Sequence, residues 1–235
     1  MRHPGIRTPR ASRTSLPSRA AAGAAAVTAA AAVLALVPAG AAQAAPAPQR
    51  AEAAATATAW APGGNAALLG IDYGTWQRDV ATVIDGARPY VEQRLAAAPA
   101  GEKPAIVLDI DNSSLETDFH YFWTFPTPAI AKVRDLVQYA HAHGAAIFFV
   151  TARPGIIQSL TQYNLKAVGY PVTGLYVRDL PDLFDEVSAY KTAKRAEIEA
   201  RGYKIIANIG NKQSDLVGGH AERTFKLPDY DGKLS

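Results

Sequence analysis

Two aspartates, Asp109 and Asp111 in the run Leu108-Asp109-Ile110-Asp111-Asn112-Ser113, are the residues best placed to do covalent chemistry. They follow a short apolar run, so both would emerge where a buried strand ends. Carboxylates this close repel, and burying them unpaired is costly, so the pair implies a cation or a shared proton. A plainer alternative stands beside it: an aspartate after a strand often forms a turn or caps the next helix. The same spacing also occurs in sugar-nucleotide transferases.

Three further groups carry candidate chemistry. Thr151-Ala152-Arg153 follows the apolar run Ala145 to Val150, and Pro154 could open a helix at its first position. A hydroxyl and backbone N–H groups at a strand end form an anion site, although a lone threonine there also serves as a plain helix cap. Arg153 would bind substrate or lie in solvent. Lys191, with Lys194 and Arg195 close behind, supplies a compact positive charge that can offset repulsion between an anionic nucleophile and an anionic target. Most lysines are solvated surface groups, so Lys191 alone says little. The last group is Asn211 to Asp215, whose oxygens could complete a hard-cation site or form a polar turn.

The elements that must hold these groups are legible as alternation. Four nearly continuous apolar runs, Ala105 to Ile110, Ala145 to Val150, Gly174 to Val177 and Lys204 to Ile209, suit strands buried on both faces. Amphipathic stretches separate them: Pro128 to His143, Gly155 to Val168 and Val187 to Arg201, each closed by Gly144, Gly169 or Gly202. The pattern predicts an α/β fold, a doubly wound and mainly parallel sheet flanked by helices, with sites beyond the carboxyl ends of the strands. A leading helix is expected from an N-cap at Thr75 through Trp76, Val80, Val83, Ile84 and Ala87, broken or restarted at Pro89. Between Ser114 and Pro128 the rings of His120, Tyr121, Phe122, Trp123 and Phe125 would form a lid or wall, or pack as core.

Composition bounds the rest. Residues 1–44 carry five arginines and no acid, an Ala/Val/Leu run, and the small-residue site Ala42-Gln43-Ala44. They read as a secretory signal peptide, and hence as secretion, in preference to an uncleaved anchor or a disordered tail. Residues 45–64 read as a flexible Ala/Pro-rich leader, and 65–235 as one domain. The pI of 9.1 is misleading. Without the five arginines the chain has 19 basic and 21 acidic residues, near −2, with no clustered basic face for nucleic acid. No stable membrane association is expected once the signal is cleaved, and no spacing sets an oligomeric state. With no cysteine, stability must come from a packed core.

Taken in order, LDIDNS, FFVTARP, YKTAKR and NIGNKQSDL resemble the four motifs of the haloacid dehalogenase superfamily. The match is to its secreted acid phosphatase branch, with class B acid phosphatases and plant storage-protein-type acid phosphatases. Trp76, Gly202-Tyr203 and Phe225-Lys226-Leu227-Pro228 are similar too, and the resemblance spans about Thr75 to Tyr230. It implies a phosphoric monoester hydrolase with at most a small cap and a small-molecule phosphate monoester as substrate. It assigns Asp109 as nucleophile, Asp111 as general acid and base, and Ser113, Thr151, Ala152 and Lys191 as phosphate-binding residues. Mg2+ would be held by Asp109, Asp111, Asn211 and Asp215. Two positions depart from the family pattern: Asn211 stands where Asp is usual, and Asn112 where Glu is frequent. The first implies weaker magnesium binding. It also keeps open a catalytically weakened binding or storage protein, beside the further alternative of a phosphotransferase or nucleotide phosphatase.

Overall fold

The computed structural model describes residues 64–234; the expected signal segment, and all of the expected leader except Gly64, lie outside the described residues. In chain order the elements are α1 (Asn65–Leu68), α2 (Tyr73–Ala96), β1 (Pro104–Leu108), α3 (Ala131–Ala142), β2 (Ala146–Pro154), α4 (Gln158–Ala167), β3 (Gly174–Arg178), α5 (Val187–Ala200), β4 (Lys204–Gly210), α6 (Gln213–Leu216) and β5 (Thr224–Lys226).

The five strands form one sheet in the order β3-β2-β1-β4-β5, and every pairing is parallel. Successive strand residues point to opposite faces, and both faces are covered. Ile106, Leu108, Ile147, Phe149, Ile206 and Ile209 pack with Trp76, Val80 and Ile84 of α2 and Val133, Leu136 and Val137 of α3. Ala105, Val107, Phe148, Val150 and Ile205 pack with Tyr190 and Ile198 of α5. This is why the strand runs lack polar alternation, and it makes the fold the expected doubly wound α/β sheet. The chain moves from β1 to β2 and β3, then crosses to β4 on the other side of β1. The switch point therefore lies at the carboxyl ends of β1 and β4, where such sheets bind ligands.

The expected glycine stops are in place: Gly144, Gly169 and Gly202 take φ of 91°, 93° and 85°, which closes each helix without strain. Three local expectations are corrected. The N-cap of α2 is Asp72, not Thr75: the Asp72 carboxylate accepts both the Thr75 N–H (2.7 Å) and its hydroxyl (2.8 Å), so the helix starts three residues earlier. Pro89 does not break α2, which is continuous over 24 residues. The buried face carrying Trp76, Val80, Ile84, Ala87 and Val91 continues across it, and that packing offsets one missing hydrogen bond. Pro154 ends β2 and does not open α4, which is preceded by a short 3-10 turn over Gly155–Ile157. The strand β5 was not anticipated; three residues with only Phe225 buried give too short a pattern.

No helix among the described residues is long and apolar enough to cross a membrane.

Candidate active site

Asp109 follows the last residue of β1 and its N–H donates to the Ile209 carbonyl (3.0 Å), extending the pairing with β4 by one step. The chain then turns sharply. Asn112 takes a left-handed φ of 53°, a conformation that asparagine tolerates better than glutamate does. Its side-chain amide donates to the Asp118 carboxylate (2.8 Å), and its amide oxygen accepts the Asp118 N–H (3.0 Å). Ser114 Oγ donates to the Asp109 carbonyl (2.6 Å), closing the turn around the first aspartate.

Lys191 reaches over from the first turns of α5 and is buried. Its Nζ donates to Asp109 Oδ1 and to Asp215 Oδ1, each at 2.6 Å. Burial pushes the Asp109 carboxyl up to about 6, against the pull of Lys191 and with the push of Asp215 and Asp111. Burial also works against the charge of Lys191, but the two carboxylates outweigh it and raise the lysine above its ordinary value. The other oxygen of Asp215 accepts the Lys212 N–H (2.8 Å), so both of its oxygens are engaged within the protein.

Asp111 is held from the opposite side. Arg153 grips it in a two-pronged pair, Nη2 to Oδ1 at 2.7 Å and Nε to Oδ2 at 3.0 Å, and the Thr117 hydroxyl donates to Oδ1 (2.8 Å). Burial opposes the charged form of Asp111, and these contacts overcome it, leaving its pKa below the ordinary value. The Arg153 guanidinium is committed to Asp111, a third use beside the substrate binding and the solvation that its place in the sequence suggests.

A cavity of about 290 Å3 opens over this arrangement, lined by Asp109, Asp111, Ala152, Lys191 and Asp215 together with Glu186, Val187, Lys212 and Ser214. The remaining candidates stand behind it. Thr151 is fully buried and its hydroxyl accepts the Arg153 N–H (3.2 Å). Ser113 is fully buried and ties β1 to β4: it accepts the Asn211 N–H (2.9 Å) and donates to Asn211 Oδ1 (3.1 Å). Thr117, Glu186, Lys212 and Ser214 were not singled out from sequence. Lys212 and Ser214 lie inside the stretch already chosen, while Thr117 and Glu186 had no pattern to mark them. Of the aromatic stretch, Phe119 is core and stacks on Trp76 (4.0 Å), whereas Tyr121, Phe122, Trp123 and Phe125 are exposed.

The donor types at this edge fit a hard divalent cation: a carboxylate at Asp109, an amide at Asn211 and backbone oxygens in the turn. Among the described residues there is no group of three or more His, Cys, Asp or Glu placed to hold a metal. An ion here would lean on neutral oxygens, water and the substrate's own phosphate.

The model of the HAD superfamily, subfamily IIIB (acid phosphatase), matches residues 31–233. The chain is 40% identical over 90 residues to the stem 28 kDa glycoprotein of Glycine max, covering 37% of this chain and 35% of that one. It is 31% identical over 104 residues to acid phosphatase 1 of Solanum lycopersicum, covering 43% and 41%. The chain thus spans well under half the length of these plant relatives. Among solved structures it resembles the class C acid phosphatase from Bacillus anthracis with tungstate bound, with a TM-score of 0.56, 19% identity and coverage of 70% of this chain and 82% of that one, a likeness of fold. With its family match over most of its length, the chain belongs to the HAD superfamily, subfamily IIIB, the acid phosphatase subfamily.

Proposed function

We propose that this protein is a magnesium-dependent phosphomonoesterase that works through a phosphorylated Asp109. The observation that carries the reading is the buried Lys191 ammonium shared between Asp109 and Asp215, with Asp111 clamped by Arg153 on the wall of the same cavity. A carboxylate nucleophile and a phosphate dianion repel, and a fixed cation at their meeting point offsets that repulsion most strongly where water is excluded.

In the first step an Asp109 carboxylate oxygen attacks phosphorus, the bond from phosphorus to the ester oxygen breaks, and the departing alkoxide takes a proton from Asp111, which must first leave its pairing with Arg153 and take up a proton from solvent, because that pairing holds it ionised at rest. In the second, Asp111 takes a proton from water, whose oxygen attacks the aspartyl phosphate; inorganic phosphate leaves and the Asp109 carboxylate is restored. Lys191, Thr151 and the backbone at Ala152 would hold the equatorial phosphate oxygens. Magnesium, when bound through Asp109, the Asp111 carbonyl and Asn211, supplies charge neutralisation for the incoming phosphate. Asp215, with both oxygens engaged, would act chiefly by aiming Lys191.

The export signal read in residues 1–44 supports secretion of the enzyme. A binding or storage role on the same fold is the second reading, favoured by the neutral Asn211 in the metal-binding stretch.

Hydrolysis of an aryl phosphate, with EDTA or added magnesium and beside an Asp109→Asn control, separates the two. Turnover that needs magnesium and vanishes in Asp109→Asn is expected. An inert wild-type protein at every magnesium level and pH would sink the enzymatic reading in favour of binding.

A further inference from the structure

We propose that Arg195 is a positioning residue of the site: it clamps the 215–219 segment against α5 so that Asp215 keeps the Lys191 ammonium aimed at Asp109. The catalytic meaning of that aim rests on the proposed function; the clamp itself does not.

Arg195 lies one helical turn after Lys191 on the same face of α5, so the two side chains reach the same loop. It is only 1% exposed, and its guanidinium is spent on backbone carbonyls and one hydroxyl. Nη1 donates to the Asp215 carbonyl (2.7 Å), Nε to the Gly219 carbonyl (3.0 Å), and Nη2 to the Val217 carbonyl and to Thr192 Oγ1 (3.2 Å). Taking a guanidinium out of water is costly, and here it satisfies three carbonyls of one short segment.

The neighbouring contacts converge on the same point. The Asp215 carbonyl also accepts Asn208 Nδ2 from β4 (2.8 Å), so the backbone of this residue is fixed from the sheet and from the helix at once. Thr192 Oγ1, whose one proton is shared between the Ser188 carbonyl (2.7 Å) and the Val217 carbonyl (3.1 Å), lies against the same segment. Gly218 has φ of 85°, and a Cβ there would lie 2.1 Å from Thr192 Oγ1; a Cβ on Gly210 would lie 2.4 Å from that of Asp215. The segment therefore approaches α5 and β4 as closely as backbone allows. With its backbone fixed on two sides and its Oδ2 held by the Lys212 N–H (2.8 Å), Asp215 presents Oδ1 to Lys191. Lysine in place of Arg195 keeps the charge but cannot span three separate carbonyls, because its donors radiate from one nitrogen.

The test reads the Lys191 ammonium directly. In the full chain labelled with 15N-lysine, the wild type should show a slowly exchanging, hydrogen-bonded ammonium signal assigned with Lys191→Arg. In Arg195→Met that signal should broaden or vanish while backbone signals of α2, β1 and β2 hold their positions. Turnover of an aryl phosphate should fall about 100-fold in kcat, the scale expected for a misplacement of about 1 Å, with KM changed far less and Arg195→Lys recovering part of the loss. An unchanged Lys191 signal together with unchanged kcat would overturn the proposal. If Arg195→Met does not fold, Arg195→Lys and Thr192→Val are read the same way, and wild-type behaviour in both overturns it. A wild type that is inert yet loses the signal on substitution supports the clamp and counts against the phosphatase reading alone.

Discussion

At the level of single residues the site is an exercise in charge placement. Three carboxylates, Asp109, Asp111 and Asp215, are held together by two cations, Lys191 and Arg153, each pairing at under 3 Å. The sum is a single negative charge, a small attraction for a divalent cation. Asn211, already engaged by Ser113, adds an oxygen but no charge. Asn211→Asp is therefore expected to tighten magnesium binding by about tenfold, or about 1.4 kcal/mol. Calorimetric titration of the wild type and the variant in the absence of substrate checks this, and equal affinities would remove Asn211 from the metal site. Asp109→Asn, by contrast, is expected to leave the fold intact and end turnover, because Asp111 is clamped by Arg153 and both oxygens of Asp215 are engaged, so neither can replace it as nucleophile.

At the level of elements, α2 carries features whose energies can be read separately. Pro89 is exposed in the interior of the helix and withholds an N–H from the ladder. Pro89→Ala restores that donor and is expected to raise stability by about 1 to 3 kcal/mol, less what the looser unfolded chain returns. Urea unfolding followed by circular dichroism would show it as a higher midpoint with an unchanged slope. Near its other end, Arg94 reaches Glu102 (2.7 Å) and Glu222 (2.8 Å), pinning the helix to the segments that lead into β1 and β5. The hydrogen bond from Arg94 depresses the Glu222 carboxyl below its ordinary value. A group depressed in the folded state adds stability above its unfolded pKa of about 4.3 and loses it as pH falls through the folded value. Glu222→Gln should accordingly melt below the wild type at pH 7, by up to about 1 kcal/mol, with the gap closing below pH 4. A gap that persisted at acid pH would show that the pair is not its source.

At the level of the whole molecule, the exposed rings stand out. Tyr121 and Trp123 stack at 4.5 Å, Phe122 meets Trp123 edge-on, and Phe125 stacks on Tyr163 of α4 at 5.7 Å. This stretch leaves the turn that holds Asp111 through Thr117, so its apolar surface is tied by a few residues of chain to the cavity that Asp111 lines. Aromatic surface left outside the core suits recognition of an apolar leaving group better than it suits stability. Trp123→Ala is expected to raise KM for aryl phosphates several-fold while leaving kinetics on glycerol phosphate and the melting temperature unchanged. An equal change with both substrates would return these rings to a packing role.

The fold class, the strands β1 to β4 and the helices between them were readable from the chain. Buried parallel strands demand continuous apolar runs, and a strand that carries Asp109 on its carboxyl end can present it in only one place. Glycines 144, 169 and 202 announced the helix ends because a left-handed residue there is favoured as glycine. Tertiary structure decided the rest. Asp72 and Thr75 are both good caps, and only the three-dimensional turn shows which of them accepts. Propensity argued for a break at Pro89, and packing against the sheet overrode it. Sequence suggests Arg153 for substrate or solvent and Lys191 for phosphate, but not their pairing with Asp111 and Asp109, because these partners lie 42 and 82 residues away and no local period links them. The pairing of Asp111 with Arg153, of Asp109 with Lys191, and the grip of Arg195 on the 215–219 segment exist only because parallel strands bring distant chain ends to one edge of the sheet.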